Sequence, residues 1–76
     1  MSPSGVIQTA MGAVDGLNQD FRVTVMYAPN STGVFINGQA KCRTWDDGWD
    51  ELGNNKVRLK QAPQLGDVVQ IYFRPI

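Results

Sequence analysis

Hydrophobic and polar residues alternate with a period of two in several short segments, a spacing typical of β-strands with one buried face. The clearest segment is residues 21–27, where one face is predicted to carry Phe21, Val23, Val25 and Tyr27. Residues 6–10 predict a second strand. Residues 56–60 predict a third, in which Val57 and Leu59 face inward and the cations Lys56, Arg58 and Lys60 face outward.

The Asn37-Gly38 pair predicts a hairpin between strands at residues 34–36 and 39–44. Both residues tolerate the positive φ angles of a type I′ turn, whose twist matches that of paired strands. The second strand would place Lys41 and Arg43 on one face and Ala40 and Cys42 on the other. This hairpin is therefore the predicted centre of the fold.

The remaining sequence predicts one further strand and one long loop. Residues 68–73 are apolar on both faces apart from Gln70, which is typical of a central or covered strand, and Pro75 ends it. Residues 45–55 are rich in Trp, Asp, Gly and Asn and predict a loop.

Closely spaced short strands without an amphipathic helix predict an all-β fold of about six or seven strands, either a small antiparallel β-sandwich (Ig-like) or a partly open barrel. Residues 5–14 could alternatively form a helical turn, because Ala10, Met11 and Ala13 tolerate helix. Residues 1–5 predict a flexible N-terminal arm, and residues 6–76 a single domain.

Composition narrows the possible chemistry. The 76 residues carry seven cationic and seven acidic side chains, no His and a single Cys. These counts exclude an internal disulfide, the common zinc sites and His-dependent triads within the chain, so we expect no cofactor and no catalytic residues. The balanced charge favours a protein or sugar partner over nucleic acid. No signal peptide or membrane-spanning segment is predicted, so we expect synthesis in a cytoplasm and no membrane insertion.

A series of turn and core motifs occurs in order between Ala13 and Pro75. The series begins with a turn followed by an aromatic residue and a proline. A hairpin and an alternating strand come next, and a turn with the pattern A-P…G-D leads into the last strand. The matching residues are Asp15-Gly16-Leu17-Asn18, Phe21, Pro29, Val34-Phe35-Ile36-Asn37-Gly38, Asn55, Val57, Leu59, Ala62-Pro63, Gly66-Asp67, Val69, Ile71 and Phe73. This order resembles a β-sandwich module of bacteriophage virion proteins, especially tail and tail-fibre proteins and small standalone capsid or tail components.

The resemblance implies a β-sandwich that works inside a phage particle, in contact with other virion proteins. Its motifs are turn and core residues, so they imply a fold and a genomic setting and not a catalytic site. Residues 45–52 depart from the pattern, because the loop there is longer and more aromatic. The specificity of this chain is therefore expected in that loop.

The loop offers a candidate binding site formed by two tryptophans and three aspartates. Aromatic faces beside carboxylates suit a protein contact or a stacked glycan, although one or both indoles could instead cap the core. The clustered carboxylates do not follow the ligand order of a calcium loop, so a solvated acidic loop is predicted and no metal site. The candidate residues are Trp45, Trp49, Asp46, Asp47 and Asp50.

Five cations recur with period two and predict a charged sheet face: Lys41, Arg43, Lys56, Arg58 and Lys60. The face could be merely solvated, where charge opposes edge aggregation, or it could meet the acidic loop of a neighbouring subunit. Reversing the charge of Lys56, Arg58 and Lys60 should then weaken self-association in a salt-sensitive way. Cys42 would lie on the same strand face as Ala40, so it is predicted to be buried and inert.

These observations predict a non-catalytic virion structural protein, located in the particle and assembled through complementary surfaces, with a possible homo-oligomer. A host-glycan-binding module of a phage adhesin is the alternative.

Overall fold

The fold is all-β, as predicted, and contains two antiparallel sheets. The structure, a computed structural model, describes residues 5–76. Apart from Gly5, the predicted N-terminal arm lies outside the described residues. The strands are Val6–Thr9 (β1), Asp20–Arg22 (β2), Gly33–Ile36 (β3), Gln39–Ala40 (β4), Trp49–Gly53 (β5), Lys56–Leu59 (β6) and Val69–Phe73 (β7).

The strands form a four-stranded sheet in the order β1-β7-β3-β4 and a three-stranded sheet in the order β2-β6-β5. The sheets do not close into a barrel and are compatible with a small β-sandwich. The apolar character of β7 is explained by its central place, between β1 and β3. The buried core consists of Phe21, Val23, Tyr27, Val34, Trp49, Val57, Leu59, Val69, Ile71 and Phe73.

Three predicted elements differ from the structure, and for two of them the reason is that the chain crosses from one sheet to the other there. The strand predicted at residues 21–27 ends at Arg22, and Val25 is exposed. The second hairpin strand ends at Ala40 instead of residue 44. The predicted loop at residues 45–55 contains β5, which pairs with β6. Residues 5–14 form β1 and an isolated bridge, not a helical turn.

The hairpin turn itself is confirmed. Asn37 has φ 53° and Gly38 has φ 81°, as a type I′ turn requires. The Asn37 side chain also ties the turn to the segment of chain that immediately precedes β7. Its amide donates to Asp67 at 2.9 Å, and its oxygen accepts from the Val68 N–H at 2.9 Å.

Candidate partner-binding site

The candidate site is built on residues 41–48, called here the tryptophan loop, which connect β4 in one sheet to β5 in the other. The Trp45 N–H donates to the Cys42 carbonyl and the Gly48 N–H to the Trp45 carbonyl, each at 3.0 Å. Gly48 is buried, and a Cβ there would lie 2.6 Å from the Cys42 carbonyl oxygen. The loop closes this tightly because residue 48 has no side chain.

Trp49 fixes the end of the loop in the core. Its side chain is 4% exposed, and its indole N–H donates to the Thr32 hydroxyl at 2.9 Å. The Lys60 N–H donates to the Gly48 carbonyl at 3.0 Å, which ties the same point to the chain after β6. A buried indole with its N–H satisfied contributes both apolar area and a defined orientation.

Glu51, two residues further along β5, holds the loop before β3 against β5. Its carboxylate accepts hydrogen bonds from the Asn30 N–H at 2.8 Å, from the Thr32 N–H at 3.3 Å and from the Thr32 hydroxyl. Arg43 lies 3.8 Å from the carboxylate and donates to the Asn30 side-chain oxygen at 3.1 Å. The Thr32 hydroxyl therefore accepts from Trp49 and donates to Glu51.

The protonation of Glu51 follows from these contacts. Burial alone would raise its pKa, since the side chain is only 9% exposed. The hydrogen bonds from Thr32 and Asn30, together with the charge of Arg43, outweigh burial and lower the pKa below its ordinary value. Glu51 is thus ionised near neutral pH and acts as a fixed anion under the loop.

The outer part of the tryptophan loop is exposed. Trp45 is 53% exposed, and Asp46 beside it is also exposed. Lys41 and Asp47 form an ion pair of 3.0 Å across the loop. The loop therefore presents one indole and one carboxylate to solvent from a backbone whose base is fixed by Gly48 and by the ion pair.

The structure separates the predicted binding residues into three environments. Trp45 and Asp46 lie on the exposed loop, and Asp47 is paired with Lys41. Trp49 is core, as the capping alternative anticipated for one indole. Asp50 lies on β5 opposite Arg58, on the outer face of the three-stranded sheet.

The prediction that five cations share one sheet face is wrong for Lys41 and Arg43. Both follow β4 in the four-stranded sheet, whereas β6 lies in the three-stranded sheet, so the two sets do not pair. Lys56 and Arg58 do project from the outer face of β6, where Arg58 pairs with Asp20 at 2.7 Å, and Lys60 is exposed just beyond the strand. The assembly role of these cations stays a prediction.

The prediction of a buried Cys42 is also wrong. Cys42 is exposed, because β4 ends two residues earlier and the chain has left the sheet. Its thiol lies 3.5 Å from the Thr44 hydroxyl, and hydrogen bonding by Thr44 lowers the pKa of the thiol.

A shallow depression of about 170 Å³ lies at the three-stranded sheet, where it is lined by Asp20, Phe21, Arg22, Leu52 and Lys56. It is smaller than typical small-molecule sites of roughly 300–1,000 Å³. Over residues 5–76, no group of three or more His, Cys, Asp or Glu side chains is arranged to hold a metal ion. The same residues contain no helix of the length and hydropathy needed to cross a membrane.

Sequence reasoning did not find the support beneath the tryptophan loop. Asn30, Thr32 and Glu51 are not among the residues that the sequence predicted for the site. One signal was present: Trp49 and Glu51 are two residues apart, as residues on one face of a strand would be. Their partners come from a distant part of the chain, which no local pattern reveals.

The fold and the loop define a small β-sandwich that displays an exposed indole on a fixed loop. Comparison of the chain with known protein families, curated proteins and solved structures finds no match.

Proposed function

We propose that this protein is a non-catalytic structural component of a bacteriophage particle, where it binds other virion proteins during assembly. It would be a tail component or a capsid-decorating or joining component, made in the host cytoplasm and retained in the particle. The motif order between Ala13 and Pro75 supports the phage setting. The exposed indole of Trp45 supports the binding role.

Trp45 has the properties of an interface anchor. Tryptophan is enriched among the residues that contribute most to protein–protein binding, and such residues act best on a preorganised surface. The tight turn at Gly48 and the ion pair between Lys41 and Asp47 supply that surface. Binding would therefore bury the indole with little further ordering of the loop.

A direct test is quantitative mass spectrometry of purified, nuclease-treated particles from cells that encode this chain. The proposal predicts a fixed copy number per particle that survives washing at high salt. Absence of the chain from intact particles would contradict the structural role.

Glycan binding is a second candidate, favoured by the half-exposed indole beside the carboxylate of Asp46. A glycan array probed with the wild-type chain and with Trp45→Ala tests it, and Trp45→Phe serves as the matched control that keeps an aromatic face. Specific glycan binding lost only in Trp45→Ala would support an adhesin. Trp49 should be left intact in this test, because its truncation would perturb the core.

A further inference from the structure

We propose that the tryptophan loop of one copy of this chain docks into the depression at the three-stranded sheet of a second copy, so that copies associate head to tail. The indole of Trp45 would cover the apolar part of the depression, and the carboxylate of Asp46 would meet its two cations, Arg22 and Lys56. This inference rests on the binding role proposed above for Trp45, and it names another copy of the chain as the partner of that indole.

Two cations without a counterion line the depression. Arg22 on β2 and Lys56 on β6 are directly opposite each other in the register. Both are exposed, whereas the adjacent Phe21 and Val57 are buried, so the two cations point outward on the same face of the sheet. The main chain of Arg22 bonds to Met11, so Arg22 and Lys56 form a non-hydrogen-bonded pair, the kind whose side chains lie closest. Within the described part of the chain, neither cation forms an ion pair.

This pair of like charges points to an anionic partner. Like charges directly opposite on paired strands destabilise a sheet, and a carboxylate placed between them removes the repulsion. Asp20 also lines the depression, but Arg58 donates to its two carboxylate oxygens at 2.7 and 3.3 Å. Hydrogen bonding by Arg58, with a smaller contribution from the charge of Lys56, lowers the pKa of Asp20 below its ordinary value. Arg22 and Lys56 are therefore available to a carboxylate from outside the chain.

The depression also offers an apolar contact. Leu52, which is 45% exposed, forms part of the lining together with the two cations. An aromatic ring can pack on Leu52 and on the guanidinium of Arg22, because cations are attracted to the face of an indole. The volume of about 170 Å³ lies below the roughly 300–1,000 Å³ of small-molecule sites, so a side chain of a partner protein fits better than a free ligand.

The tryptophan loop carries the complementary groups. Trp45 is 53% exposed, and Asp46 beside it is exposed as well. Across the described residues Asp46 forms no ion pair, whereas Asp47 is already engaged by Lys41. The loop thus presents an indole next to an uncompensated carboxylate, and the depression presents a leucine next to two uncompensated cations. Because the formal net charge of the chain is zero, copies approach one another without net repulsion.

The two surfaces lie at opposite ends of β5. The tryptophan loop ends at Gly48, just before the strand, and Leu52 lies near the strand's other end. The ends of a strand of five residues are roughly 13 Å apart. A loop with a fixed base cannot reach the depression of its own chain across that distance, so it is available to another copy. Since the two surfaces differ, the contact is heterologous, and its repetition gives a ring if the rotation closes and an open filament if it does not.

A mixing experiment tests the head-to-tail contact. Trp45→Ala removes the anchor and leaves the depression intact, whereas Arg22→Glu reverses one cation and leaves the loop intact. In sedimentation velocity, the wild type should associate in a concentration-dependent way, and each variant alone at least about tenfold more weakly, as expected for loss of an anchor or of charge complementarity. An equimolar mixture should form a heterodimer with one copy of each variant and nothing larger, because only one loop and one depression remain intact.

Arg74→Glu is the matched control, because it makes the same charge change at an exposed residue just after β7, in the other sheet. It should leave association unchanged. Arg22→Glu places a carboxylate opposite Lys56, so it should fold as the wild type does, which circular dichroism checks. A wild type that is monomeric at millimolar concentration, a mixture without heterodimers, or equal weakening by Arg74→Glu would overturn the inference.

The mixing experiment and the particle measurements fail independently. If the mixture forms no heterodimer but Trp45→Ala is still lost from purified particles, Trp45 binds a different virion protein and only this inference fails. If heterodimers form but the chain is absent from intact particles, the head-to-tail contact stands and the proposed function fails.

Discussion

Trp45 and Trp49 belong to the same acidic segment, yet 53% of Trp45 is exposed and only 4% of Trp49. Trp49 lies on β5, where its indole bonds to Thr32 and packs in the core. Trp45 lies in the tryptophan loop and presents its ring to solvent. The difference separates two tasks: the buried residue stabilises the base of the loop, and the exposed residue remains accessible to a partner.

If Trp49 supports the fold and Trp45 does not, the largest loss of stability is expected for Trp49→Ala. This substitution should lower the free energy of unfolding by about 3–5 kcal/mol. The loss combines a cavity in a small core with a Thr32 hydroxyl that no longer receives the indole N–H. Urea unfolding followed through the remaining Trp45 fluorescence measures it. Trp49→Phe is the matched control and should cost less, because it keeps an aromatic ring. Equal stability of Trp49→Ala and the wild type would refute the division of tasks.

Glu51→Gln should lower the free energy of unfolding by about 1.5–3 kcal/mol at neutral pH, the range for hydrogen bonds to a charged group. The amide cannot accept three hydrogen bonds and balance Arg43 as the carboxylate does. The Glu51→Gln chain is compared with the wild type by urea unfolding.

The same pair of chains gives a pH test. Since the pKa of Glu51 is lower in the folded chain than its ordinary value of 4.5, its stabilisation is complete above pH 4.5 and is lost as pH falls through the folded pKa. The stability difference between wild type and Glu51→Gln should thus shrink on acidification. A difference that is constant down to about pH 3 would show that the carboxylate charge is not responsible.

Gly48→Ala should cost about 1–3 kcal/mol, as overpacked sites do, because the added methyl would meet the carbonyl oxygens of Cys42 and Arg43. Gly33→Ala is the control, since a Cβ there makes an ordinary contact of 3.7 Å with Tyr72. Thermal unfolding of both variants provides the measurement. If Gly33→Ala proved the more damaging change, the close approach at Gly48 would not be what shapes the loop.

Trp45→Ala should have the smallest effect, a change in the free energy of unfolding within about 0.5 kcal/mol, as expected for a surface substitution. Urea unfolding followed by circular dichroism measures it. A loss comparable to that of Trp49→Ala would mean that Trp45 supports the fold and is not reserved for a partner.

The parts of the fold that were predicted correctly are those with local signals. β6 follows a strict alternation of charged and apolar residues, and its Val57 and Leu59 are buried as expected. β7 is apolar on both faces because it is central in its sheet. The Asn37-Gly38 turn needs positive φ at both positions, which few other residue pairs supply.

The parts that were not predicted lie where the chain passes from one sheet to the other. Val25 continues the apolar period of Phe21 and Val23, but the strand has ended by then and its side chain is exposed. β5 was missed because Asp, Glu and Gly are uncommon in strands, although Glu51 is stabilised there by Asn30 and Thr32. Contacts between residues so far apart in the sequence depend on tertiary packing and leave no local sequence pattern.

Under the proposed function, the division between the two tryptophans is tested most directly by counting copies of the chain in purified particles assembled with wild type, Trp45→Phe or Trp45→Ala. We predict that Trp45→Ala is incorporated at least about tenfold less than wild type although its urea midpoint is unchanged, as expected for loss of an interface anchor. Trp45→Phe should retain part of the incorporation. Incorporation of Trp45→Ala at the wild-type copy number would contradict the account.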